Sequence, residues 1–164
     1  MDLKTLDTAD LEVALVTAQK SWSELRAEDT ESICLDILSV EPQNTEALEL
    51  LLRSRIELLK KGLPQSVARA QELLSSLATP FDQAFYSGML REAQARYLLE
   101  KRGRSTSHVA YSWFRHAMDD FEASAAIDPS RIEPKLRWNA CLRTLKNNPQ
   151  CAPAPEEEEE HGIE

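Results

Sequence analysis

Glycine and cysteine are scarce in this chain of 164 residues. Only 4 Gly are present, whereas glycine averages ~7% of protein residues, so folds that need many tight turns lack their main residue. The motifs G-x-x-x-x-G-K-[ST], G-x-G-x-x-G and G-x-S-x-G are absent, which leaves no usual phosphate loop or hydrolase nucleophile elbow. The 3 Cys are too scattered for a disulfide framework or a zinc site. These absences favour a helical protein.

Basic clusters and long apolar runs are missing as well. The formal net charge is -9. Residues 152 to 164 contain six Glu and no Lys or Arg, so most of this negative charge lies at the C-terminus. Nucleic-acid binding normally requires a patch of Lys and Arg that neutralises phosphates, so we do not expect it. The N-terminus has no apolar segment behind a basic start, so the cytoplasm is the expected location.

The sequence instead has helical periodicity from about residue 8 to residue 147. Cap residues mark several helix starts: Asn44, Thr79 followed by Pro80, and Ser130 with Glu133 spaced as a capping box. The apolar stripe of the first helix, which is predicted to be buried, includes Leu25. The punctuation predicts seven helices, at about residues 8–27, 29–40, 44–61, 64–78, 79–101, 107–127 and 130–147.

The domain organisation follows from this pattern. Residues 1 to 149 are predicted to form one helical domain. Residues 150 to 164 mix Pro, Ala and Glu without an aromatic residue, and such a segment cannot bury enough apolar area to offset chain entropy. We therefore predict a disordered acidic tail.

The helix junctions resemble those of tetratricopeptide (TPR) repeats. Residues 41–44 (EPQN) and 128–131 (DPSR) each end one hairpin with a proline and begin the next with a cap. The family's small, aromatic, small and proline spacing is matched by Ala117, Phe121, Ser124 and Pro129. The resemblance covers residues 8 to 147 and implies an all-α fold of stacked antiparallel helical hairpins, a TPR-like right-handed superhelix of seven helices. The regular repeat length is not kept, and a generic helical bundle remains the alternative.

The resemblance also implies a non-catalytic protein-protein interaction module with a concave groove that binds a peptide or helix of a partner. Transferring the family's groove positions one at a time gives these partner-binding residues: Glu12, Leu15, Gln19, Trp22, Glu46, Glu49, Arg53, Ile56, Asp82, Phe85, Met89, Glu92, Leu136 and Arg143. An apolar strip between acidic flanks would suit a basic, amphipathic segment. The carboxylate clamp of chaperone-binding members is absent, since Leu15, Gln19 and Leu50 stand at its positions. Trp22 and Phe85 could equally be core residues.

Two other function classes stay open. A homo-oligomeric scaffold would bury its concave or terminal face against itself. A small enzyme or metal-binding bundle would need converging titratable groups, and the nearest arrangement is His116 with Asp119 and Asp120 at helical spacing, which a solvated helix face also explains. No catalytic residue, cofactor or metal is predicted. The Glu run at 156–160 is interpreted as solubilising, with a contact to the basic cluster at 101–104 as the alternative.

Overall fold

The computed structural model describes residues 1–62, 67–101 and 103–154. Within these residues the secondary structure is entirely helical, and the all-α fold class is confirmed. A 3-10 turn, Thr8–Asp10, precedes the α-helices α1 (Leu11–Ser23), α2 (Ala27–Val40), α3 (Thr45–Lys60), α4 (Val67–Leu74), α5 (Pro80–Glu100), α6 (Arg104–Ile127) and α7 (Glu133–Asn147). The predicted start of the fourth helix, near Pro64, lies outside the described residues.

Two helix starts form as the cap residues predict. The Asn44 side chain accepts a hydrogen bond from the Ala47 amide (3.0 Å) at the start of α3. The Thr79 hydroxyl accepts one from the Asp82 amide (3.0 Å) at the start of α5. Gly62, with a φ of 75°, follows the end of α3, because glycine enters the left-handed region without a Cβ clash.

The capping box predicted at Ser130 and Glu133 does not form. The Ser130 hydroxyl donates instead to the Asp128 side chain (2.6 Å), and α7 begins three residues after Ser130 with no side-chain cap at its N-terminus. The prediction of a capping box is therefore wrong. The Asp128 carboxylate competes for the hydroxyl because it lies only two residues away.

The first helix ends earlier than predicted, in a turn built around Leu25. The Arg26 amide donates to the Ser21 carbonyl and the Leu25 amide to the Trp22 carbonyl, each at 3.0 Å, which is the hydrogen-bond pair of a Schellman motif. Leu25 takes the left-handed position with a φ of 61°. Its side chain is 83% exposed, so its assignment to the buried stripe of the first helix is wrong.

Within the described residues, buried apolar side chains form three clusters that join neighbouring helices. The first lies between α1, α2 and α3 and contains Cys34 and Leu51. The second lies between α3, α4 and α5 and contains Ile56 and Leu90. The third lies between α5, α6 and α7 and contains Phe121. The helices α1, α3, α5 and α7 also contact one another in sequence, and this row of helices positions the candidate site.

The chain after α7 returns to α6. Cys151 is only 4% exposed and belongs to the third cluster, and His108 Nδ1 lies 2.8 Å from the Ala152 carbonyl oxygen. Residues 151 and 152, which the sequence assigns to the tail, thus pack on the helical domain, whereas the acidic run at 156–160 lies outside the described residues. No described helix is long and apolar enough to cross a bilayer.

Candidate partner-binding groove

An open depression follows the row of helices α1, α3 and α5. It consists of two cavities that share Trp22 and Arg53, one of about 240 Å³ and one of about 330 Å³. The first is lined by Trp22, Arg53, Ile56, Glu57, Lys60, Phe85, Tyr86 and Met89. The second is lined by Gln19, Trp22, Glu46, Glu49, Leu50 and Arg53. We call the combined depression the α1–α3–α5 groove.

The structure brings many of the predicted residues together here. On α1 these are Gln19 and Trp22; on α3 and α5 they are Glu46, Glu49, Arg53, Ile56, Phe85 and Met89. Residues four apart on a helix share a face, and the sets from α3 and α5 follow this spacing. All four positions transferred to α3 therefore line one surface, whereas on α1 only Gln19 and Trp22 of the four do.

The apolar lining of the groove has a fixed floor and two more accessible walls. Ile56 is 3% exposed and belongs to the core between α3, α4 and α5. Trp22 and Met89 are half-buried, so each presents apolar surface to the groove while it packs on the core. An incoming apolar side chain would contact all three, because they line the same cavity.

Phe85 contributes more to the core than to the groove surface. Its ring centroid lies 5.9 Å from that of Phe81, 5.4 Å from that of Tyr86 and 5.8 Å from that of Phe121. These distances are typical of stacked and edge-to-face aromatic packing. Removal of the Phe85 ring would disturb this aromatic cluster, so Phe85 is a poor reporter of partner binding.

A network of three side chains joins α3 to α5 in the groove wall. Arg53 donates to the Tyr86 hydroxyl oxygen (2.7 Å) and to Glu49 Oε1 (2.5 Å). The Tyr86 hydroxyl donates to the same Glu49 oxygen (2.6 Å). Burial, followed by the hydrogen bond to Glu49, raises the pKa of Tyr86 above its ordinary value. Tyr86 therefore stays protonated at neutral pH and the three side chains hold one another in place.

The charges along the groove are partly compensated within the chain. Glu49 is paired with Arg53, and Lys60 Nζ lies 3.4 Å from Glu57 Oε2. Glu46 accepts a hydrogen bond from the Gln19 amide (3.0 Å) but forms no ion pair with any described residue. Of the three groove carboxylates, Glu46 is therefore the one whose charge is not balanced by a cation of the described residues.

Four predicted residues lie away from the groove cavities with their side chains at least partly exposed. Glu12 is exposed on α1. Asp82 accepts from the Thr79 hydroxyl (2.6 Å) and lies 3.7 Å from Arg131, so it neutralises a cation near α7. Leu136 is 54% exposed and Arg143 is exposed, both on α7. The geometry does not bring α7 residues into the groove, because α7 contacts α5 rather than α1 or α3.

Two other predicted residues are structural. Leu15 packs against the cluster between α1, α2 and α3. Glu92 has no exposed surface and is held between Arg96 (2.8 Å) and Arg137. A buried carboxylate needs such cationic partners to offset its desolvation, so Glu92 links α5 to α7 and is not available to a partner protein.

Sequence reasoning missed several groove residues, of which Tyr86 and Lys60 matter most. Tyr86 lies three residues before Met89, and Lys60 lies four residues after Ile56. The same helical spacing that selected Met89 and Ile56 could have found them. The hydrogen bond between Tyr86 and a residue 37 positions earlier has no such signal in the sequence.

The described residues contain no group of three or more His, Cys, Asp and Glu side chains arranged to hold a metal ion. In the candidate set around His116, Asp120 accepts hydrogen bonds from Ser87 (2.7 Å) and Arg91 (2.9 Å). Burial raises the pKa of Cys34 to about 11 and that of Cys141 to about 12, so both thiols are poor nucleophiles at neutral pH.

Comparison of the chain with family models, with curated proteins and with solved structures gives no match.

Proposed function

We propose that this protein is a non-catalytic interaction module that binds a segment of a partner protein in the α1–α3–α5 groove. The observation that carries the proposal is the cavity in which the half-buried Trp22 and Met89 meet the buried Ile56 beside an ordered polar network. Binding sites typically combine an apolar surface with a few fixed polar groups in this way. The proposal includes a tetratricopeptide-like stacking of the hairpins, supported by the contacts that run from α1 through α3 and α5 to α7.

The groove chemistry suits a partner segment with one basic residue and at least one apolar residue. The apolar side chain would enter between Trp22 and Met89, and the cation would meet Glu46. Glu46 and Ile56 lie ten residues apart on α3, about 15 Å along the helix axis. That distance corresponds to roughly five residues of an extended partner chain. Glu49 contributes less to charge recognition, because it is already paired with Arg53.

The location proposed for this module is the cytoplasm. Cys34, Cys141 and Cys151 are free and buried, and free thiols are typical of a reducing compartment.

Selection from a displayed library of short random peptides tests the function directly. Selected peptides should combine a basic and an apolar residue, and Met89→Ala should weaken their binding by about tenfold or more, because an apolar contact worth ~1.4 kcal/mol or more is removed. Glu46→Gln should lower affinity mainly at low salt. Glu12→Gln is the matched control, since it removes an exposed carboxylate of α1 outside both cavities. Equal binding by the wild type, Met89→Ala and Glu46→Gln would refute the groove assignment.

A further inference from the structure

Leu25 forms an apolar projection at the tip of the first hairpin. It is the one non-glycine residue with a positive φ among residues 1–62, 67–101 and 103–154, and its side chain is 83% exposed. Glycine is the usual residue at this position of a Schellman motif, because a side chain there is strained. Leu25 thus exposes a large apolar side chain to water on a strained backbone, and this side chain adds no packing to the chain's own core.

An apolar cleft of matching size lies at the other end of the helical domain, between α6 and α7. Its volume is about 180 Å³, and its lining residues are Phe121, Glu122, Ala125, Pro134, Lys135 and Trp138. An apolar cavity of ~150 Å³ accepts a benzene molecule, so this cleft has room for a leucine side chain. The Trp138 indole donates to Glu122 (2.9 Å), which fixes one wall of the cleft.

The helical segments that carry the two surfaces also have opposite net charge. Residues 1 to 40 contain nine acidic and three basic side chains, whereas residues 130 to 147 contain one acidic and five basic side chains. Glu28, one turn after Leu25, and Lys135, on the rim of the cleft, are both exposed and form no ion pair within the described parts of the chain. Opposite charges around an apolar contact favour one orientation of approach.

We propose that Leu25 of one copy of this protein inserts into the α6–α7 cleft of a second copy. The contact is heterologous, because the two surfaces differ, so each added copy offers a new projection and a new cleft. Assembly is therefore head to tail, and mean length increases with protein concentration. Leu25, Ala125 and Trp138 do not line the α1–α3–α5 groove, so this assembly is independent of the partner binding proposed above.

Sedimentation velocity of the full chain over a concentration series tests the proposal. The wild type should shift from monomer to longer species as concentration increases. Leu25→Gly should weaken this association by about tenfold or more, because it removes the apolar contact. Glycine also relieves the strained backbone, so the variant should melt at or above the wild-type temperature, and a lost association cannot then be ascribed to unfolding. Leu35→Ala, at another exposed leucine of the same hairpin, is the control that should associate as the wild type does.

A mixing experiment separates head-to-tail assembly from other self-association. Ala125→Leu fills the cleft and leaves the Leu25 projection intact, while Leu25→Gly leaves the cleft intact. Each variant alone should stay monomeric, and an equimolar mixture should form a dimer and no longer species. If Ala125→Leu lowers the melting temperature, Lys135→Glu replaces it as the variant that impairs the cleft. A wild type that stays monomeric up to ~1 mM, a Leu25→Gly protein that associates normally, or a mixture without dimers would each overturn the proposal.

Discussion

Replacement of Gly88 by alanine should destabilise the protein, although alanine is normally the better helix former. Gly88 lies within α5 and is buried. A Cβ atom built on Gly88 would lie 2.6 Å from Phe121 Cε1 and 2.8 Å from Phe121 Cδ1, and real Cβ atoms essentially never come so close to a neighbour. The Phe121 ring has no exposed surface, and the Phe85 ring packs against it at 5.8 Å, so any shift of the ring must break this packing.

The expected magnitude follows from two opposing contributions. In a helix interior, alanine is favoured over glycine by about 1 kcal/mol. Overpacking of a filled core costs roughly 1–3 kcal/mol, and the closeness of this contact puts Gly88→Ala near the upper limit. We therefore expect a net loss of about 2 kcal/mol in the free energy of unfolding, which is a large share of the ~5–15 kcal/mol that stabilises a typical domain.

Urea unfolding of a double-mutant cycle measures this coupling. Phe121→Leu removes ring atoms that meet the added Cβ, so Gly88→Ala should cost less in the Phe121→Leu background, with an interaction energy of about 1 kcal/mol or more. An equal cost in both backgrounds would show that the two residues are not in contact. A higher urea midpoint for Gly88→Ala alone would refute the packing argument outright.

Three further predictions concern other parts of the fold. Above pH 10 the tyrosine of the unfolded wild type ionises, whereas folded Tyr86, whose pKa is raised by burial, does not, so the free energy of unfolding falls by up to ~1.4 kcal/mol per pH unit. Tyr86→Phe should make this fall less steep, which urea midpoints between pH 8 and 11 test. Cys141, with its pKa raised to about 12 by burial, should react with a thiol reagent at pH 8 only as fast as the protein unfolds. Deletion of residues 150 to 164 should lower the melting temperature more than deletion of residues 155 to 164, because only the longer deletion removes the buried Cys151.

Much of the fold could be predicted from the sequence because its signals are local. Helical periodicity and the caps at Asn44 and Thr79 depend on residues within one or two turns, and the structure confirms both caps. The error at Leu25 has a physical cause. A glycine at position 25 would have indicated the end of α1. Leucine instead continues the helical spacing of apolar residues after Trp22, so the pattern predicted a longer helix and no turn.

The candidate site was less predictable, because its side chains are fixed by contacts between distant residues. The positions on α3 that were carried over from the family line the groove, since one helix keeps its own register. Glu92 was expected in the groove, but the structure pairs its buried carboxylate with Arg137 on α7, 45 residues later. Local spacing contains no information on which of several arginines approaches a given carboxylate.

The groove and the α6–α7 cleft share one part of the core. Phe85 lines the groove, Phe121 lines the cleft, and their ring centroids lie 5.8 Å apart. A substitution at either ring would disturb both surfaces, so loss of binding in such a variant would not identify the surface responsible. Met89 lines only the groove and Ala125 only the cleft. Variants at these two residues therefore separate partner binding from self-assembly, whereas variants at the shared rings measure the stability of the core on which both surfaces depend.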